Sequence, residues 1–440
     1  MKILLITLEP IGAQMAGPAI RSVELGKQLA KQFAITLFSP YRTDNPPTFA
    51  GCHLELGLKK SDLIKLANQQ DILIIQANVL KQYPQLSKLK KYLVVDLYDP
   101  FLFNIHLQYA NQPPAIASAS FRLMHKLLEK HMLAADFSIC ASERQRDYWI
   151  GRFCALGRIN PTLHNFDPSL RKLLDVVPFG VPERPPVNHG QGPRKLFPQI
   201  KAQDPLLLWA GGLWDWLDPL TVIKAVGQLK TQIPNIRLVF MGRVSPNPQV
   251  QIMSMSSQAE DLSKQLGLLN KNVFFAPNWV SYNERADFLL DATIGVSAHF
   301  DLPETRYSFR TRLLDYFWAG LPIITTGGDE LATIIENNNA GFAVNYQDVD
   351  GWVKTISNLL NDRALISKCQ QGSTLLAKHF SWVQSVKPLF NYCKNPYHLP
   401  AHSKVTMPSL IERAYSIYHR GGKQLIYDRT KQLIKDHFPG

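Results

Sequence analysis

Residues 304–328, ETRYSFRTRLLDYFWAGLPIITTGG, gather side chains suited to holding an anion. Ser308 reads as a helix N-cap, the apolar run Leu313–Trp318 has helical length, and Gly320 followed by Pro322 supplies a stop. This spacing predicts a helix at about 309–319, then a short buried strand, Ile323–Thr325. Arg310 and Arg312 fall in the first turn, where the macrodipole disfavours a cation by roughly 0.3–1 kcal/mol each. A phosphate held there removes that cost, taking hydrogen bonds from free N–H groups and forked guanidiniums. Asp315 lies deeper, on the side of Arg312, where a carboxylate can accept from a pair of sugar hydroxyls. The competing reading turns both arginines to solvent and pairs Asp315 with one of them.

Other stretches carry groups of the same kind. The buried strand Leu206–Ala210 runs into GGLWDWLDP at 211–219. There Gly211 and Gly212 let the backbone approach a ligand. Trp214 and Trp216 are of a type that stacks on sugar or base rings, or else they cover a domain edge. Arg243 follows the strand Ile236–Met241 and is a further candidate for phosphate. Gly327-Gly328-Asp329-Glu330 is a glycine turn opening a helix, with N–H groups for a phosphate or sugar hydroxyl and Asp329 as N-cap. Asp348-Val-Asp350 spells a D-x-D, but it opens a helix far from any glycine loop, so no metal is assigned.

The elements that must position these residues alternate. Lys2–Leu8 is an apolar strand, a loop with Gly12 and Gly17 follows, and Pro18 opens a helix. The loop sits at the strand's carboxyl end, where doubly wound sheets bind ligands, but it lacks G-x-G-x-x-G. Strands recur at Ala34–Phe38, Ile72–Ile75, Tyr92–Val95 and Phe137–Cys140, separated by helices near 61–69, 79–90, 120–134 and 142–150, which implies a parallel sheet covered on both faces. PFGVPERPPVNHGQGP, from Pro178, reads as a linker. A second series of strands and helices begins after it, with helices at about 349–361, 363–379 and 381–391 closing it.

At 440 residues two domains are expected, and 45% hydrophobic with 19% charged residues is an ordinary globular composition. The expected division is 1–180, a linker at 181–204, 205–380, and a crossover helix with a basic amphipathic tail over 381–440. No apolar run approaches the roughly 18 residues of a membrane span. The opening run meets Glu9-Pro10 too early for a signal peptide, so a cytoplasmic protein is expected. Five scattered cysteines without CxxC spacing argue against disulfides and zinc. The net charge of +13 divides as +7 over residues 1–180, +2 over 181–400 and +4 over 401–440. No nucleic-acid module accompanies it, so an anionic membrane surface or a phosphorylated acceptor is the expected partner, and nucleic acid is not. The tail's Tyr415, Tyr418, Leu425, Ile426, Leu433 and Ile434 are expected to dock on the first domain, with a membrane surface as the alternative.

The run DYFWAGLPIITTGG resembles the family 4 (group 1) glycosyltransferases of GT-B fold, whose usual form is E-A-x-A-x-G-x-P-V followed by a glycine pair. The resemblance implies an α/β fold of two Rossmann-like, doubly wound domains facing across a cleft. It places Asp315 where the family holds the nucleotide ribose. Tyr307 stands where a second glutamate contacts the donor sugar, with Glu304 the nearest acid and Ser308 beside them. Gly212 and Leu217 replace the family's diphosphate-gripping arginine and lysine, which throws that task onto Arg310 and Arg312. Gly17 and Arg21 are implied to border the cleft. Asp99, just past Tyr98 where many members have histidine, becomes the candidate for acceptor-hydroxyl contact or base, or else it caps the Pro100 turn. Val177–Val181 resembles the hinge-proximal segment, and Ser142-Glu143 the family's serine-glutamate pair after a strand.

The expected activity is transfer of a sugar from a nucleotide-sugar donor to a hydroxyl of a glycan, polysaccharide or lipid-linked acceptor, retaining and metal-independent. No cofactor is expected, the nucleotide sugar being a substrate, and the setting is cytoplasmic, peripheral to the inner face of the membrane. The alternatives are a non-catalytic GT-B module serving as an assembly partner and a two-domain oxidoreductase, the latter disfavoured by the missing dinucleotide fingerprint.

Overall fold

The computed structural model describes the chain except residues 77, 104, 106–111, 243–244, 249, 251–252, 402–408, 410, 413–414, 417, 420–421, 426, 429–430 and 432–440. Runs such as KILLI and ILIIQ are apolar along their whole length because both faces of their sheets are covered, the pattern of parallel strands. Seven strands, β1 Lys2–Ile6, β2 Ala34–Ser39, β3 Cys52–Leu56, β4 Ile72–Gln76, β5 Tyr92–Asp96, β6 Phe137–Cys140 and β7 Leu174–Val176, form one sheet in the order β3-β2-β1-β4-β5-β6-β7. Six more, β8 Leu206–Trp209, β9 Arg237–Phe240, β10 Val273–Phe275, β11 Ile294–Ser297, β12 Ile323–Thr326 and β13 Gly341–Val344, form a second in the order β10-β9-β8-β11-β12-β13. Every ladder in both sheets is parallel.

Strand order reverses beside β1 in the first sheet and beside β8 in the second, the places where such sheets open a crevice for ligands. The loops leaving β1 and β8 at these points face each other, joined by those leaving β5 and β11. In the second sheet two of them are stitched together. Leu217 bridges His299, and Asp218 N–H donates to Ala298 O at 2.9 Å.

The crossover expected at the end of the chain is present as two short helices, Trp382–Ser385 and Lys387–Lys394. Phe390 lies 5.4 Å from Phe33 and Tyr392 stacks on Phe137 at 4.7 Å, both rings belonging to the first sheet's half. Val181 exchanges backbone hydrogen bonds with Phe380 and Trp382, so the proline-rich segment is anchored at its start. It also contains a short helix, Pro193–Leu196, with Pro193 buried, where the sequence reading had only a linker.

Two elements of the first sheet's half depart from the expected series. β3 has no counterpart in it: it is an edge strand with no fully buried residue, so it lacks the apolar run that betrays the others. The helix expected from 120 begins at Pro114. The expected docking of the tail is not found among its described residues: Ile411, Tyr415, Tyr418 and Tyr427 are exposed, while Ile426, Leu433 and Ile434 lie outside the described residues. Among the described residues no helix is long and apolar enough to cross a membrane.

Candidate active site

The facing loops enclose a cleft of about 380 Å³, within the range of small-molecule sites. Its first wall comes from Glu9, Gly17, Tyr98 and Asp99. Its second comes from Gly211, Gly212, Trp214, Arg285 and the segment Glu304–Asp315.

The helix predicted at 309–319 spans Thr311–Trp318. Leu313, Leu314, Tyr316 and Phe317 are buried, and Tyr316 Oη ties the helix to β8 and β11: it accepts from Ala210 N at 2.9 Å and lies 2.8 Å from Leu208 O and 2.9 Å from Val296 O. Ser308 is not its cap. Ser308 ends the preceding helix, Pro303–Tyr307, and its hydroxyl donates to the Glu304 carboxylate and lies 2.9 Å from Glu304 O; Arg310 takes the N-cap position with no side-chain cap bond.

The two arginines part company. Arg310 grips Glu304 through both terminal nitrogens, at 2.9 and 2.6 Å, and this buried pair corrects the expectation of two free cations. Arg312 lies in the first turn. Its Nη2 donates to Gly212 O at 3.0 Å, its guanidinium lies 4.8 Å from the centre of the Trp209 ring, and its Nη1 is shielded from water with no hydrogen-bond partner among the described residues. Burial, with repulsion from Arg310, lowers its pKa to about 10, so it stays charged at neutral pH. An unpartnered buried donor costs roughly 1–3 kcal/mol, which an incoming anion would recover.

Asp315 pairs with neither of them. Its Oδ1 takes Arg285 Nε at 3.1 Å, and the Arg285 guanidinium is stacked 3.7 Å from the centre of Tyr282 and 4.5 Å from that of Trp318. Burial raises the Asp315 carboxyl although Arg285 pulls it down; burial opposes the Arg285 charge, but Tyr282 and Asp315 more than offset it.

Gly211 adopts φ +90°, a conformation other residues rarely take, and this turns the glycine pair toward Arg312. Trp214 and Trp216 stack on each other with centroids 5.7 Å apart, both lining the cleft. On the opposite wall Asp99 is open to the cleft's water yet walled in by both sheets' loops. That enclosure, with Glu304 repelling, pushes its carboxyl up to about 7.

Some expected residues are elsewhere. Tyr307 does not line the cleft; its ring stacks on Phe103 at 5.3 Å and against Tyr148, and its carbonyl accepts from Gln145, which also bonds Tyr98 O and so joins the two halves. Gly327 and Gly328 also stand off the lining: His299 bonds Gly327 O, Arg144 bonds Gly328 O, and a Cβ on Gly328 would strike the Tyr346 hydroxyl. Arg21 is wholly buried, bound to Asp96 through Nε at 2.6 Å. Arg243 lies outside the described residues. Asp329 and Asp348 act as N-caps, and Ser142 caps Glu143–Ala155. Among the described residues no three His, Cys, Asp or Glu converge as a metal-ligand set.

Two lining groups escaped the sequence reading. Glu9 leaves β1 at the first sheet's reversal point, a position that could have flagged it; burial raises it to about 7 against a hydrogen bond from Asn247. Arg285 opens a short helix with no local motif, and only folding sets it beside Asp315.

Residues 204–362 match the family model described as glycosyl transferases group 1. This stretch is a group 1 glycosyl transferase domain. It holds Gly211, Arg285, Arg310, Arg312 and Asp315, so the arginines lining the cleft among the described residues fall inside it. The chitobiosyldiphosphodolichol beta-mannosyltransferase of Yarrowia lipolytica is 23% identical over 175 residues, 39% of this chain and 35% of the relative, so the chain spans about a third of that protein's length. Over nearly the whole chain the similarity is structural. Sucrose-phosphate synthase from Thermosynechococcus elongatus superposes with TM-score 0.66 at 16% identity, covering 89% of this chain and 98% of that one. Anabaena HepE in complex with UDP and glucose does so with TM-score 0.66 at 14% identity, covering 90% and 100%. The fold around the glycosyl transferase domain is thus GT-B.

Proposed function

We propose that the protein transfers a glycosyl group from a nucleotide-sugar donor to an acceptor hydroxyl, with residues 205–380 holding the donor and residues 1–180 the acceptor. The observation that carries this is Arg312, a charged guanidinium with an unpartnered nitrogen at the start of a helix, beside the Gly211–Gly212 turn and across the cleft from Asp99. The group 1 family match supports the donor class, and HepE, solved with UDP and glucose, supports a uridine nucleotide as the first to try.

In this reading Arg312 and the helix N-terminus stabilise the departing diphosphate, without a metal. Asp315, oriented by Arg285, accepts from the ribose hydroxyls, and Trp214 and Trp216 wall the slot. The acceptor oxygen bonds to the anomeric carbon as the bond from that carbon to the diphosphate oxygen breaks. The diphosphate leaves with the electron pair, and the hydroxyl proton passes to Asp99. Retention of configuration, implied by the family resemblance, belongs to the same proposal and has the acceptor oxygen enter on the face from which the diphosphate departs. A cytoplasmic protein working at an anionic membrane belongs to the same proposal, supported by the exposed Ile116 and Leu123 beside the exposed Arg122 and Lys126 on the helix Pro114–Ala134.

The test is calorimetric titration with UDP, GDP, ADP and dTDP, followed by release of the matching diphosphate from its nucleotide sugars. One nucleotide is expected to bind in the micromolar range and its sugars to turn over. Binding of none of the four would remove the donor site.

A further inference from the structure

The charges lining the cleft are segregated. Seven charged residues line it among the described residues: Glu9, Asp99, Arg285, Glu304, Arg310, Arg312 and Asp315. Four cancel in pairs, Arg310 with Glu304 and Arg285 with Asp315. What remains is Arg312 on the donor wall and two carboxyl groups, Glu9 and Asp99, on the other.

Among the described residues no lysine or arginine lines that other wall. Its further described lining, such as Met15, Gly17, Pro18, Ile20, Tyr98 and Phe101, is uncharged. Arg21, the cation beneath it, is fully buried, with its charge balanced by Asp96 and a further bond to the Val177 carbonyl, and it stands behind the Tyr98 ring. Glu9 Oε2 is shielded from water without a hydrogen-bond partner among the described residues.

We propose that the acceptor's reacting end is an uncharged, hydroxyl-bearing sugar or polyol, and that Glu9 and Asp99 select it against phosphorylated acceptors. This rests on the transferase reading above and departs from the phosphorylated acceptor that the chain's net charge suggests. The excess positive charge lies outside this wall. A carboxyl oxygen accepts from a hydroxyl, whereas a phosphate against two ionising carboxyl groups, with no cation on their wall among the described residues, meets like-charge repulsion that grows as pH rises through about 7.

Two measurements on the full chain test it. The first uses the nucleotide sugar that turns over and compares methyl glucoside, methyl mannoside and methyl galactoside with glucose 6-phosphate, mannose 6-phosphate and inositol 1-phosphate, reading diphosphate release above hydrolysis. Neutral acceptors are expected to exceed phosphorylated ones by at least about tenfold, a difference of roughly 1.4 kcal/mol. The second saturates the protein with its nucleoside diphosphate, so that Arg312 is occupied, and titrates inorganic phosphate by calorimetry. No binding tighter than about 10 mM is expected. Preference for a phosphorylated acceptor, or phosphate binding below about 1 mM in the nucleotide-saturated protein, overturns the proposal while leaving the transferase reading intact. If no acceptor in the set is used, the phosphate titration decides alone. Refusal of all four nucleotides is instead the failure of the donor reading.

Discussion

Arg310 and Glu304 are locked together by two hydrogen bonds of 2.9 and 2.6 Å, while Arg312, two residues on, keeps one nitrogen without a partner. Neighbouring arginines thus have separable roles. Arg310→Ala leaves a buried carboxylate uncompensated and is expected to cost about 3–5 kcal/mol of stability, read as a fall in the denaturant midpoint. Arg312→Ala is expected to leave the midpoint within about 1 kcal/mol and to weaken nucleoside diphosphate binding by about 2 kcal/mol, the value of a charge-assisted hydrogen bond. Equal losses of stability in both variants would contradict this division.

Asp315 and Arg285 form the second test. Because Arg285 Nε orients Asp315 Oδ1, Arg285→Ala is expected to weaken nucleotide binding about as much as Asp315→Ala, and the double variant to lose less than the sum of the two. Additive losses in a calorimetric double-mutant cycle would separate the residues.

Tyr316 fastens the helix bearing Arg312 and Asp315. Removing its hydroxyl in Tyr316→Phe strands the buried Ala210 N–H, which is expected to cost about 1–3 kcal/mol of stability. It should also weaken nucleotide binding several-fold, although the ring never touches the ligand. An unchanged affinity would show that the helix holds its place through Leu313, Leu314 and Phe317 alone.

The pH profile of turnover is set by Asp99. Asp99, pushed up to about 7, must be ionised to accept the hydroxyl proton, so turnover is expected to fall as pH drops through about 7. Asp99→Asn should lose that limb and run about 10²–10⁴-fold slower. A wild-type rate that is flat from pH 8 to 6 would exclude this role.

Stability follows the buried histidines. Burial lowers His131 to about 4 and His299 to about 3, with Arg310 repelling the latter. His131 is neutral in the fold: Nε2 accepts from Leu80 N at 2.9 Å, and Nδ1 donates to Leu127 O. Both groups take up a proton in the unfolded chain near pH 6.5 but not in the fold, so their contribution is intact above that pH and is lost as pH falls toward 4. By pH 5 the loss should reach about 1–2 kcal/mol each. His131→Gln should flatten the pH dependence of the melting temperature.

What the chain announced by itself was periodic or local. Apolar runs such as ILIIQ, the glycine turns after β1 and β8, and the cap Asp329 were legible because each depends on neighbours within a few residues. They sufficed for two parallel sheets, and the run at 315–328 for the family resemblance. β3 escaped because an edge strand carries no continuous buried run, and Tyr307 misled because spacing along a helix does not say which way a ring turns at its end. The pairing of charges belonged to tertiary structure alone. Glu304 lies six residues from Arg310, Arg285 thirty from Asp315, and Glu9 leaves a different sheet altogether. Which guanidinium is neutralised and which stays free depends on burial and on partners brought across the cleft. Electrostatic pairing acts through space, and the sequence records only order along the chain.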